Sequence, residues 1–146
     1  MEKAILVDLD GTLADIEHRV HHVQSENKDW KAFNQNMESD SLNQWCADLV
    51  KAMRSENYKI IFITGRGEST RKVTEEWLSS HDISFEHLFM RPLKDRREDF
   101  EVKKEIYEKQ IKSKYQVVFV VEDRASVVKM WRSIGLVCLQ CDWGDF

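Results

Sequence analysis

The sequence predicts an α/β fold, a parallel sheet of about five strands with helices on both faces. Three apolar runs, "KAILVDLD" (3–10), "YKIIFITGR" (58–66) and "YQVVFVVEDR" (115–124), are short, continuous and rich in β-branched residues. Strands buried on both faces read this way. Between the runs, apolar residues recur at helical spacing, and strands alternating with helices imply parallel pairing. "EHLFMRP" (86–92) and "GLVCLQC" (135–141) are weaker strands that complete the sheet.

Each connecting segment has its own signature. Residues 14–40 are polar, with His18, Arg19, His21, His22, Lys28 and Lys31 and one short stripe of Trp30, Phe33 and Met37. This reads as a small lid, a loop plus helix inserted after the first strand and lying over the open end of the sheet. Leu42, Trp45, Cys46, Leu49, Val50 and Met53 then mark a helix behind Asp40 or Ser41 as N-cap. Val73 and Trp77 anchor a second helix, and Val102, Ile106 and Tyr107 a third. Val127, Val128, Trp131 and Ile134 mark a fourth, which Gly135 is placed to end. The tryptophans and methionines of these helical stripes are expected in the core.

Bulk properties narrow the function classes. A chain of 146 residues suits one domain, 1–146, whose folding buries roughly 70% of the unfolded surface. A hydrophobic content of 42% and a charged content of 33% are ordinary for a globular protein. The net charge of −4 argues against a surface coated in basic groups for holding nucleic acid, although a local basic cleft survives such an average. No run has the length of a signal peptide core or a membrane span, so a cytoplasmic protein without a membrane partner is expected. Cys46, Cys138 and Cys141 make no disulfide framework. The C-x-x-C of Cys138 and Cys141 lies in a strand, whereas a redox pair opens a helix; packing cysteines are expected.

The three strong strands end alike, each running from apolar residues into reactive polar groups. The first ends in Asp8 and Asp10, the second in Thr64, Gly65 and Arg66, the third in Glu122 and Asp123. Ligands of open α/β sheets bind outside the carboxyl ends of the strands, so these residues should converge on one site. A cluster of carboxylates demands a cation, and hard oxygen ligands favour Mg²⁺. The His18-x-x-His21-His22 run matches no zinc spacing and is expected to be solvated or to touch substrate.

Suppose that the substrate is a phosphate monoester and Asp8 the nucleophile. A carboxylate meeting a dianion at about 4 Å is repelled by roughly 8 kcal/mol at an effective dielectric of about 20. That amounts to roughly six decades in rate, so the site must supply positive charge. Mg²⁺ supplies two units. Lys103 is the natural further source, with Asp99 one helical turn earlier to orient it, while Lys104 points about 100° away.

Together these residues resemble the haloacid dehalogenase superfamily. Its first motif, D-x-D-G-T, is "DLDGT" at 8–12; its second, a Thr or Ser closing a strand, is Thr64; its third is Lys103; its fourth, an acidic pair, is Glu122-Asp123. Nearly the whole chain is similar to the 3′-phosphatase domains typified by phage polynucleotide kinase-phosphatase and their stand-alone relatives. The stretches that carry this are "DLDGTLAD" with Arg19, "TGR" with Arg66, "DFEVKKEIY" and "VEDRASVVKMWRSIGLVCLQCDWGDF". The resemblance implies a Mg²⁺-dependent phosphatase with an aspartyl-phosphate intermediate. It makes Asp8 the nucleophile and Asp10 the general acid and base. Thr64 and Lys103 would neutralise the phosphoryl oxygens, and Arg19 and Arg66 would clamp the phosphate, with Gly65 and Asp99 beside them. Asp8, Asp123 and the Asp10 carbonyl would hold the metal, with Glu122 reaching it through water; Arg124 is expected to be structural.

The implied substrate is a 3′-phosphorylated nucleic acid end, with nucleoside monophosphates as the alternative and an inactive module that binds phosphorylated ends as a third reading. No two of the five glycines sit five apart, so the sequence lacks the P-loop of the kinase. A separate kinase or ligase partner is left open.

Overall fold

The computed structural model describes residues 1–24 and 26–146. Its sheet comprises β1 (Glu2–Val7), β4 (Lys59–Gly67), β5 (His87–Arg91), β6 (Tyr115–Glu122) and β7 (Cys138–Gln140), all parallel, in the order β5-β4-β1-β6-β7. The first strand therefore lies at the centre, flanked by the other two strong apolar runs. Val7 pairs with Phe62 on one side and Val121 on the other, so the apolar runs of the three strands finish within about one residue of level, while β4 itself continues to Gly67. The Asp8 amide donates to the Val121 carbonyl at 3.0 Å, which carries this alignment into the acidic residues.

Alternation along the strands divides the interior into two layers. Ile5, Val7 and Phe62 face a layer with Cys46, Val50, Trp77 and Leu78, from helices α3 (Gln44–Ser55) and α4 (Arg71–Ser80). Leu6, Ile61 and Ile63 face the other layer, with Val102, Ile106, Val127 and Trp131, from α5 (Asp99–Ile106) and α6 (Ala125–Ser133). A π turn at Tyr107–Ile111 follows α5. The parallel five-stranded sheet with helices on both faces is the fold expected.

After β1 the chain turns back on itself. Thr12 N and Ala14 N both donate to the Leu9 carbonyl, at 3.0 and 2.9 Å, which ends the strand at Val7 rather than at residue 10. Strands β2 (Ala14–Asp15) and β3 (Ser41–Leu42) then pair antiparallel. Between them lies an insert with α1 (Glu17–Val20) and α2 (Trp30–Phe33), held by its own small core of Ile16, Val20, Val23 and Phe33.

Local expectations fail in three places. Leu42 belongs to β3, and Asn43 occupies the N-cap position of α3, so neither Asp40 nor Ser41 caps that helix. Trp45 is 47% exposed instead of packed, because the buried face of α3 runs through Cys46, Ala47 and Val50 and Trp45 lies beside it. Strand β7 ends at Gln140, so Cys141 falls just outside it, although its amide still donates to the Glu122 carbonyl at 3.1 Å, and it lies half-buried with its thiol 3.7 Å from the Thr12 hydroxyl.

Candidate active site

The strand ends open into a cavity of about 730 Å³ whose walls include Asp8, Asp10, Thr64, Arg66, Glu122 and Asp123. The three strand ends thus meet at one place, and Gly65 and Asp99 line it as well.

Asp8 sits at the bottom, 5% exposed. Its Oδ1 accepts from Lys103 Nζ at 2.9 Å, and its Oδ2 accepts from the Thr12 hydroxyl at 3.4 Å. Lys103 is buried outright and projects from α5 into the acidic cluster, reaching Glu122 Oε2 at 2.8 Å and Asp99 Oδ2 at 3.4 Å. Burial alone would strip its proton, but Asp8, Asp99 and Glu122 outweigh that and hold its pKa well above the ordinary lysine value. Asp99 lies one turn back on the same helix face, as spacing requires. The close approach of Gly65 explains its lack of a side chain: a Cβ there would stand 2.5 Å from Asp99 Oδ1.

Glu122 turns its second oxygen to the backbone, where Oε1 accepts from the amides of Asp123 and Arg124 at 3.1 and 3.2 Å. Asp123 accepts from the same Thr12 hydroxyl at 3.3 Å. Gly11 makes room for it, with φ +83° and an imaginary Cβ only 2.1 Å from Asp123 Oδ2. Any L side chain at residue 11 would be both strained and in collision.

One oxygen each from Asp8, Glu122 and Asp123 lies within 4.8 Å of the others. Burial and mutual repulsion push Glu122 up to about 8 and Asp123 up to about 11. A buried all-carboxylate donor set whose members suppress one another's ionisation fits a hard divalent cation. The linkage has a definite sign. In metal-free protein these two groups bind protons more tightly folded than unfolded, so stability falls as pH rises from the ordinary values of 4.5 and 3.8 through about 8 for Glu122 and about 11 for Asp123. Divalent ions should reverse this at neutral pH. At one hundred times Kd the gain is about 2.7 kcal/mol, roughly 5–10 °C in Tm for a chain of this size. A thermal scan with and without Mg²⁺ at pH 7.5 and pH 5 should show the shift chiefly at the higher pH, and Asp123→Asn should abolish it.

Asp10 has different surroundings. Arg66 donates to its Oδ1 at 2.6 Å and Arg19 donates to the same oxygen at 2.7 Å. Burial pushes the Asp10 carboxyl up, but the two guanidiniums outweigh it and hold the pKa at about 2. Both arginines also bond Asp40 Oδ2, Arg19 at 2.6 Å and Arg66 at 3.0 Å. Asp40, 4% exposed, is the residue that sequence reasoning missed. It follows the polar insert, where an aspartate before a helix reads as a cap, and its partners lie 21 and 26 residues away. His18 is exposed, as expected, and its Nε2 lies 2.6 Å from Asp40 Oδ1.

Both arginines are almost fully buried, but their remaining partners differ. Arg66 lines the cavity and also donates to the Thr74 hydroxyl at 3.1 Å. Arg19 is 2% exposed, and its remaining hydrogen bonds run to Asp40 Oδ1 and the Phe33 carbonyl, each at 2.8 Å. Arg124 packs its guanidinium 5.3 Å from the Trp30 ring and 5.1 Å from the Phe146 ring, joining the insert to the C-terminal segment at the cavity wall.

Comparison with known proteins agrees with this geometry. The sequence pattern of the polynucleotide kinase PNKP phosphatase domain matches residues 2–146. The chain belongs to this family. Among curated relatives, a putative bifunctional polynucleotide kinase/RNA ligase of Autographa californica nuclear polyhedrosis virus is 30% identical over 136 residues, covering 92% of this chain and 18% of that protein. Among solved structures, a chain of the Pnkp1/Rnl/Hen1 complex superposes with a TM-score of 0.88 at 35% identity, covering 100% of this chain and 48% of its own length. The class C acid phosphatase of Bacillus anthracis, seen with tungstate, shares the fold at a TM-score of 0.65 and 21% identity, covering 86% of this chain and 53% of that one. The PNKP-type phosphatase domain described here thus spans about half or less of each of these relatives. No helix among the described residues is long and apolar enough to cross a membrane.

Proposed function

We propose that the protein removes the 3′-phosphate from polynucleotide ends through a phosphoaspartate on Asp8. The observation that carries this reading is the convergence on one cavity of Asp8, held by Lys103, and Asp10, two residues on and held by Arg19 and Arg66. One carboxylate is then placed for attack and the other for proton transfer.

In the first step an Asp8 oxygen attacks phosphorus, the bond from phosphorus to the ribose oxygen breaks, and Asp10 gives its proton to the departing oxygen. In the second, a water oxygen attacks the same phosphorus, Asp10 takes the water's proton, and the bond to Asp8 breaks to release phosphate. When phosphate leaves and Arg66 closes on it again, Asp10 returns that proton to solvent, and it takes one up as the next substrate phosphate draws on Arg66. Arg66 serves this exchange. When an incoming phosphate draws on its guanidinium, its hold on Asp10 weakens and the Asp10 pKa rises. Arg19, anchored on Asp40 and the Phe33 carbonyl, orients Asp10, while Thr64, Arg66 and Lys103 face the phosphoryl oxygens. Asp8, Asp123 and the Asp10 carbonyl would hold Mg²⁺, with Glu122 fixing Lys103; the ion supplies charge neutralisation for the attack.

The likeness to a polynucleotide kinase/RNA ligase and to a chain of the Pnkp1/Rnl/Hen1 RNA repair complex supports nucleic acid ends as substrate and a ligase as partner. Phosphate release from a 3′-phosphorylated oligonucleotide, compared with 3′- and 5′-mononucleotides, tests this. Preference for the oligonucleotide is expected, and preference for the mononucleotides would instead make the protein a nucleotidase. Asp10→Asn should slow steady-state release from the oligonucleotide by about two to four decades. With p-nitrophenyl phosphate, whose leaving group needs no proton, the same variant should show a burst of nitrophenolate followed by slow turnover.

A further inference from the structure

The cavity is much larger than one phosphate requires, within the range of roughly 300–1,000 Å³ that holds drug-sized ligands. Its walls include two elements far apart in sequence, α2 of the insert and residues 95–98 before α5. The arginines in and beside that second segment have different fates. Arg97 is tied to Asp95 at 2.7 Å and also to Glu105, and Arg91 donates to the carbonyls of Gly65, Asp95 and Arg97. Arg96 is exposed, lines the cavity and has no ion pair among the described residues. Lys31 has the same character on the insert, and beside it stands Trp30, 40% exposed and also lining the cavity.

We infer that Trp30, Lys31 and Arg96 form a strand-holding subsite for the nucleotides preceding the terminal phosphate of a single-stranded polynucleotide. This inference rests on the phosphatase reading above and specifies its substrate as a strand rather than a nucleotide. The indole, 40% exposed with Arg124 packed on its ring at 5.3 Å, offers its remaining open surface to a base, and the two cations meet backbone phosphates; aromatic stacking combined with unpaired cations is the general solution for holding single strands without reading sequence. It also accounts for nucleic acid binding by a chain of net charge −4, because only these local cations need face the strand.

The test measures kcat/KM on a 3′-phosphorylated decanucleotide and on p-nitrophenyl phosphate and follows their ratio. Trp30→Ala should lower that ratio about tenfold. Lys31→Gln and Arg96→Gln should each lower it and make log(kcat/KM) on the oligonucleotide less steep against log salt by about 0.7. All three side chains are at least partly exposed and come from two elements, so a general folding defect would depress both substrates and leave the ratio unchanged. An unchanged ratio and salt slope in these variants, with wild-type protein active on the oligonucleotide, would overturn the subsite alone. No release from the oligonucleotide by wild-type protein would overturn the phosphatase reading and the subsite with it.

Discussion

Asp8→Asn is expected to lower phosphate release from a 3′-phosphorylated oligonucleotide by at least about 10⁴-fold while leaving the protein folded. The amide is nearly isosteric and can still accept from Lys103, whose Nζ stands 2.9 Å from Oδ1. It has no anionic oxygen to attack phosphorus, and no other carboxylate occupies the same place. Asp123 is hydrogen-bonded to Thr12, Glu122 to Lys103 and two amides, and Asp10 to two arginines. The substitution also removes one charge from a crowded acidic cluster, so the metal-free Tm should not fall. Initial rates and a melting curve on the same preparation check both halves.

Lys103→Met should cost both stability and activity. The side chain is buried outright among Asp8, Glu122 and Asp99. Removing one partner of a buried charged group leaves the others uncompensated, at about 3–5 kcal/mol. The catalytic loss should span several decades, since the cation that offsets repulsion between Asp8 and the substrate is gone. Adding Glu122→Gln to Lys103→Met separates the two effects. The double variant should recover about 0.5–3 kcal/mol of the lost stability, because one orphaned carboxylate is neutralised, and should recover none of the activity. Denaturant midpoints and phosphate-release rates on the four proteins of this cycle provide the measurement.

The fold was legible because the three strong strands are continuous apolar runs, a pattern that only a sheet covered on both faces demands. Their chemistry was legible for the same reason, as the ends of parallel central strands share one edge and Asp8, Thr64 and Glu122 could be placed there before any coordinates. Lys103 followed from charge balance. Asp40 did not, since its role depends on how a polar insert folds back, and insert conformation is set by a few long-range contacts such as the 2.8 Å bond from Trp77 Nε1 to the Asp40 carbonyl. Periodicity carries no trace of that bond. Arg19 and Arg66 were recognised as site residues, yet their shared hold on Asp10 and Asp40 is a three-dimensional fact. Trp45 shows the converse failure: it obeys the helical spacing with Leu49, but the face that reaches the core is the neighbouring one of Cys46, Ala47 and Val50.

The covalent step itself is open to direct observation. Protein mixed with Mg²⁺ and an oligonucleotide carrying a radioactive 3′-phosphate, quenched in acid within one turnover, should retain label on the polypeptide. Reductive cleavage of the acyl phosphate should map that label to Asp8. Complete release of phosphate at wild-type rate, with no labelled protein at any time and undiminished turnover in Asp8→Asn, would contradict the account.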